Sequence, residues 1–501
     1  MRKFNFLIAA LFTVSAIGRA QNAAVPVIGQ TQREPRCLGT KTPYTAPVPA
    51  YTPPPAGYNP VFINYVGRHG ARFLTKAGAD LRVWEVLQAA EKNHSLTALG
   101  KQVMAMTEKL LAIEKDKYEQ ITVLGKEEQT AIGERMLYNY GGVFTGKGLE
   151  IVTTYKLRTQ QSAEAFLQGF AKVPGPRRYE KAADSLDTVL RFYDLSPAYQ
   201  RYKKSSALRL ALDSLEGDKR TKEVAAHVCK GLFTGPLPQM ASRGKGLRKG
   251  PGEMDPVVFA DNLYDLYSVQ FSLPGEMQER GYVKDSIDLG IAFGRKDLEW
   301  LDYRSGAQDF LEKGPGYDPM GIQVRVAAPL LAEFIHSTDK AVRRLGGGGA
   351  SPGTASGSPA SDANLTSDGS PTSDGSPASD VSPGPDAILR FTHAEAISPF
   401  AALLGIPEAG TPAVSIFGYR AHWQAESVIP LSANIQWILY TNGKDWLVKV
   451  LLNEKEAALP LKTTSFPYYR WKDLRDYYEK RLQSLHAGAG ENMLEYLKTL
   501  R

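Results

Sequence analysis

From Val61 to Phe170, short apolar runs alternate with segments whose apolar residues recur every three to four positions. The runs at 61–66 (VFINYV) and 150–154 read as strands. Segments near 96–113, 126–140 and 159–170 read as helices, because residues three and four apart share one helical face. Strands that alternate with helices predict a parallel sheet covered on both faces. The strand signal then fades. From 171 to 322, helical stretches such as SALRLALDSLEG and VVFADNLYDLYSVQFSL dominate and predict an α-helical cap inserted into a core made of 61–170 and 323–501. Farther on, AILRFTHAEAISPFAALLGI predicts a strand at 387–391, a polar turn at 393–395 and a helix from about Ile397. IQWILYTNGKDWLVKVLLNE predicts a hairpin turning at Asn442-Gly443, and WKDLRDYYEKRLQSL an amphipathic helix.

Two segments carry no such period. Residues 21–60, with prolines crowded after Pro43, predict an extended arm over the surface, with the compact fold starting near Val61. Residues 345–386 consist mostly of Gly, Ser, Pro, Asp, Ala and Thr and contain TSDGSPTSDGSPASD. Too little apolar surface is available there to offset the entropy of ordering, which predicts a disordered insert.

The chain has 501 residues, 43% of them apolar, enough to bury a large core in more than one domain. Residues 1–20 read as an export signal: Arg2 and Lys3 lead, an apolar run follows from Phe4 to Ile17, and Gly18 and Ala20 suit cleavage. The run is too short to span a bilayer. These features predict an exported chain, periplasmic, cell-surface or extracellular, with no transmembrane segment once matured. Without Arg2, Lys3 and Arg19 the formal charge falls from +7 to +4. No Lys/Arg stripe interleaved with aromatics indicates nucleic acid, whereas a mild positive charge favours a polyanionic small molecule. Cys37 and Cys229 allow at most one disulfide, and no zinc-binding spacing occurs. Asn93 and Asn364 lie in N-x-[ST] sequons.

Chemistry concentrates where strands end. Arg68, His69 and Arg72 follow the first predicted strand, Arg158 the second, His393 and Glu395 the third. In open α/β sheets ligands bind outside the carboxyl ends of strands, so the six are expected to share one site. Guanidinium forks suit a phosphate and stabilise charge on phosphoryl oxygens. A neutral imidazole is a nucleophile, and a carboxylic acid protonates a leaving alkoxide. The set describes a phosphomonoester hydrolase working through a phosphohistidine. A metal site is not expected, because the H-E-x-x-H spacing is missing and the arginines repel a cation. A further basic run, SRGKGLRKG, holds Arg243, Lys245, Arg248 and Lys249 in a glycine-rich cap loop. It reads first as a solvated loop and second as a weak contact for a highly charged substrate.

RHGARFLT resembles the RHGxR motif of the histidine acid phosphatases, and HAE resembles the proton-donor motif of their multiple inositol polyphosphate phosphatase subgroup. LTALGKQ, LGKEEQ, LRTQQSAEAFLQGF, LRFYDLSPAY and ANIQWILY with VKVLLNE are similar to other stretches of that subgroup. The resemblance implies a phosphoglycerate-mutase-like α/β sheet core flanked by helices, with an α-helical cap and no cofactor. It implies that His69 is the nucleophile, Glu395 the proton donor, and Arg68, Arg72, Arg158 and His393 the phosphate holders. The substrates implied are inositol polyphosphates. Leu74 stands where many relatives have proline. Two alternatives remain: a broader phosphatase of sugar phosphates or bisphosphoglycerate, and a polyphosphate-binding protein without activity. A desolvated cleft is expected to keep Glu395 protonated.

Overall fold

A mixed sheet of eight strands forms the centre of the computed structural model. Its strands are β1 (Asn59–Arg68), β2 (Leu149–Thr153), β3 (Arg177–Lys181), β4 (Ala387–Thr392), β5 (Asn434–Thr441), β6 (Trp446–Leu452), β7 (Lys455–Glu456) and β8 (Tyr468–Arg470). They lie in the order β8-β6-β5-β1-β4-β2-β3, and β7 pairs with β6. The run β1-β4-β2-β3 is parallel, and β5 joins β1 antiparallel. The described residues are 36–47, 50–173, 175–181, 187–240, 252–283, 286–346, 384–488 and 490–501.

The helices used below are α1 (Ala98–Glu114), α2 (Val123–Tyr140), α3 (Leu157–Gln168), α4 (Ser206–Glu216), α5 (Lys219–Leu232), α6 (Pro256–Gln270), α7 (Arg295–Glu312), α8 (Ala328–Gly346), α9 (Ala394–Leu404) and α10 (Trp471–Ser484). Threonines start two of them: Thr97 Oγ1 accepts from Gly100 N–H at 3.0 Å, and Thr122 Oγ1 from Gly125 N–H at 3.2 Å. Strand alternation sends side chains to opposite faces. Ile63, Tyr65, Leu389 and Phe391 bury against Ile132 and Met136 of α2 and Phe166 of α3. Phe62, Val66, Ile388 and Trp437 face Phe334 of α8 and Phe400 of α9, in an apolar core that continues through α4 to α7.

β4 is buried along its whole length although Arg390 sits within it. The guanidinium is held by Glu333 of α8, donates to Asn64 Oδ1 at 2.9 Å and lies over the Phe334 ring at 5.2 Å. A buried cation needs such partners. Here they tie α8 to both central strands.

Several expectations are corrected. Arg177–Lys181, inside the span expected to begin the cap, is an edge strand paired with β2. Its sequence RRYEK is mostly charged, as suits an edge but not a periodic strand pattern. The proline-rich arm is bound rather than merely laid over the surface: Tyr44 N–H donates to Glu128 at 2.7 Å, and the hydroxyls of Tyr44 and Tyr51 donate to Glu454. Both ends of the expected insert are ordered. α8 runs to Gly346, and buried Asp386 accepts from Thr145, Gly146 and Lys147. The strands around Asn442-Gly443 are joined by a four-residue loop, 442–445, in which Gly443 takes φ +87°. Cys37 and Cys229 are not joined to each other. The export signal, 1–20, and residues 347–383 of the insert lie outside the described residues.

The turn after β1 reaches its place through a contact of two backbones. A Cβ on Gly70 would stand 2.5 Å from the Gly125 carbonyl oxygen, and one on Gly125 would stand 2.1 Å from the Ala71 oxygen. Gly125→Ala must therefore push α2 away from the turn. We expect a loss of about 2 kcal/mol in denaturant unfolding, as overpacking of a tight contact costs, and a larger fractional loss of any activity of this turn. Wild-type stability together with wild-type activity would show that the close approach is dispensable.

Candidate active site

Parallel pairing of β1 with β4 sets Arg68 against Thr392, so the chain leaves both strands side by side. His69 N–H donates to the Thr392 carbonyl at 3.0 Å, and the rings of His69 and His393 lie 5.6 Å apart. The turn that follows is pinned through its backbone by side chains from three helices. Gly70 N–H donates to Ser162 Oγ of α3 at 3.0 Å, Ala71 N–H to Glu128 of α2 at 2.9 Å, and Leu74 N–H to Glu114 of α1 at 2.9 Å.

His69 is 4% exposed, and its Nδ1 lies 3.0 Å from the Gly70 carbonyl. A carbonyl only accepts, so Nδ1 carries the proton and Nε2 keeps its lone pair. Burial, then Arg68, Arg158, Arg72 and His393, hold the imidazole well below its ordinary pKa, hence neutral. His393 is equally buried. Its Nε2 lies 3.3 Å from Arg191 and 3.2 Å from Thr154 Oγ1. A guanidinium only donates, so Nε2 accepts and the proton sits on Nδ1, which has no hydrogen-bond partner among the described residues. Burial and Arg158 push this ring down as well.

The cations surround these rings. Burial, opposed by Glu395, pushes Arg68 down to about 10, and burial with Arg68 and Arg158 does the same to Arg72. Both stay charged at neutral pH. One Arg68 amino group donates to the backbone oxygens of Thr40 and Ile429 at 2.7 and 2.6 Å. Arg158, in the first turn of α3, lies 3.7 Å from Glu119, and its buried Nε has no hydrogen-bond partner among the described residues.

Glu395 occupies the first turn of α9, where the helix dipole favours a carboxylate. Lys313, just past α7, reaches it at 3.3 Å and also reaches Asp309 at 2.8 Å. Burial pushes the Glu395 carboxyl up, but Lys313, His393, its own backbone N–H and Arg68 outweigh that and hold it well below the usual range. The expectation of a protonated Glu395 is thus overturned for the resting protein. Lys313, the foremost of these opposing groups, is a cation that the sequence did not place beside it.

Arg68, His69, Arg72, Arg158, His393 and Glu395 are therefore brought together, whereas Arg243, Lys245, Arg248 and Lys249 lie outside the described residues. Sequence reasoning missed Lys313, Asp309 and Arg191. Arg191 bonds Asp194 and lies over the Tyr155 ring at 4.7 Å and the Tyr193 ring at 5.4 Å. The i,i+4 spacing of Asp309 and Lys313 and the aromatic neighbours of Arg191 in LRFYD were legible, but nothing local tied them to the strand ends.

Residues 61–235 match the histidine phosphatase superfamily (branch 2). No curated protein matches the chain. Among solved structures, the Bifidobacterium longum multiple inositol polyphosphate phosphatase in complex with inositol hexasulfate is similar, with TM-score 0.69, 21% identity, and 88% of this chain and 97% of that one covered. Its complex with phosphate gives 0.68 and 20%, covering 91% and 99%. A phytase from D. castellii gives 0.59 and 14%, covering 93% and 88%. These likenesses concern the fold. Together with the sheet order they show the fold that this chain shares with those structures, and the RHGxR turn at the end of β1 falls within the residues, 61–235, that match branch 2 of the histidine phosphatase superfamily.

Proposed function

We propose that the protein hydrolyses phosphomonoesters of inositol polyphosphates, myo-inositol hexakisphosphate among them, through a phosphohistidine. The observation that carries this reading is a neutral, buried His69 with its Nε2 lone pair free, ringed by Arg68, Arg72 and Arg158 and facing His393. His69 Nε2 attacks phosphorus as the bond to the leaving oxygen breaks. Charge on the phosphoryl oxygens is met by the three guanidiniums and by His393 Nδ1–H. Glu395, protonated once the ester is bound, gives its proton to the departing alkoxide. As a carboxylate it then takes a proton from water, whose oxygen joins phosphorus as the P–N bond breaks. We assign the helical section between β3 and α8 to a cap over this cleft, and infer export from the pattern at 1–20.

Similarity to an enzyme whose complex with inositol hexasulfate is solved supports a polyanionic substrate. Cations also crowd the cleft beyond the six residues, with Lys156 and Arg191 nearby. A monophosphate has no use for so many.

Purified protein should release phosphate from myo-inositol hexakisphosphate in the presence of a chelator, and faster than from sugar monophosphates. Chelator-sensitive release would point to metal chemistry, and the reverse preference to a broader phosphatase. His69→Ala should abolish release from every ester. With an aryl phosphate, which needs no acid, kcat should hold as pH falls through the ordinary imidazole range. The depressed pKa keeps His69 neutral there, and the rate is lost only as pH falls through that lowered value. A fall centred near 6.5 would mean an imidazole with ordinary titration.

Glu395→Gln separates the acid role from binding. An inositol alkoxide leaves poorly without a proton and a nitrophenolate leaves easily, so the loss should be on the order of 100-fold greater for inositol phosphates. Equal losses on the two substrates would remove Glu395 from proton transfer.

A further inference from the structure

Lys313 is 12% exposed at its side chain and sits between two carboxylates, Asp309 at 2.8 Å and Glu395 at 3.3 Å. Burial opposes its charge, but Asp309 and Glu395 outweigh burial and keep it an ammonium. Asp309, one turn back, suffices to neutralise a lysine. The second carboxylate is the one that proton transfer requires, and about a third of it faces the cleft, with 37% of its side chain exposed. Other groups face Glu395 from each neighbouring element: Arg68 at the end of β1, Arg72 in the turn after it, Arg158 of α3, His393 before α9, and Tyr193 and Tyr199 ahead of α4. Among the described residues its ion-pair partner is Lys313.

An acid that is ionised at rest and protonated in the step needs something to change when the ester arrives. The ester itself supplies it. A phosphate dianion brings negative charge beside Glu395, which favours the proton, and competes for the same ammonium, which removes what opposed the proton. We propose that Lys313 is a positioning residue for proton transfer, its ammonium holding the Glu395 carboxylate in the resting protein and passing to phosphate oxygens when the ester binds. This rests on the reading of Glu395 as the acid. The proton enters from solvent, leaves the carboxyl for the departing alkoxide oxygen as phosphorus bonds to His69, and no other reactant is needed.

The test is the pH dependence of kcat/KM, which reads the protein before the ester binds, for Lys313→Met, Lys313→Arg and Asp309→Asn, each with myo-inositol hexakisphosphate and with p-nitrophenyl phosphate. In Lys313→Met the alkaline limb should move up by about one pH unit with the inositol ester, stay in place with the aryl ester, and return in Lys313→Arg. Asp309→Asn should move it down, because the ammonium then belongs to Glu395 alone. Should Lys313→Met fail to fold, with two carboxylates left without their lysine, Asp309→Asn decides by itself. A limb unmoved or raised in Asp309→Asn, or shifts shared by both esters, overturns the proposal. Wild-type protein inactive on both esters sinks instead the reading of the site on which this one stands.

Discussion

Everything at this site depends on the parallel register of β1 and β4. Pairing Gly67 with Phe391 and Arg68 with Thr392 makes the two strands end level, so residues far apart in the chain begin their turns a few ångströms from one another. A slip of one residue would send His69 and His393 to opposite faces. The register is held by the flanking strands, β5 on one side and β2 on the other, and by Arg390, which binds Asn64 of β1 and Glu333 of α8 in the same layer. A charge in the middle of a central strand is costly unless partnered. Its partners belong to the two elements that must not move relative to β4.

The same geometry sets the electrostatics. Three guanidiniums and an ammonium converge where the strands end, and the buried imidazoles respond by losing their charge. Each nitrogen then has a distinct task, because backbone and guanidinium partners fix the tautomers in opposite senses. His69 turns its Nδ1–H to Gly70 and keeps a lone pair, whereas His393 accepts from Arg191 and keeps an N–H. Two histidines alike in sequence terms become an electron-pair donor and a hydrogen-bond donor.

Much of this was legible before any coordinates. Strand and helix periods located β1, β2, β4 and the hairpin within a few residues, because each is a strongly apolar run. The rule that ligands gather at carboxyl ends of strands pointed to six residues that do converge. What escaped had non-local causes. β3 is too charged to show a strand period and exists because β2 offers it an edge. The arm reads as proline-rich coil, yet its tyrosines find Glu454 across the fold. Lys313 reads as a helix-end lysine paired with Asp309, and only the tertiary fold brings Glu395 to it. A protonated Glu395 followed from desolvation alone, and Lys313, the foremost of the groups that oppose it, was not foreseen.

The arm has a further consequence for Arg68. Its guanidinium must keep its charge for phosphate, yet a long side chain at the mouth of a cleft is free to wander unless something orders it. A carboxylate would order it at the expense of that charge. Instead one amino group donates to two neutral backbone oxygens, Thr40 in the arm and Ile429 ahead of β5. Thr40 is itself held, because neighbouring Lys41 pairs with Asp265 and bonds Ser268, both on α6 of the helical section. Three parts of the chain therefore aim one fork while leaving its charge unspent. That arrangement gives the arm a task at the site: the Thr40 carbonyl, presented by the short 3-10 turn Gly39–Lys41, does for an arginine what an acid could not.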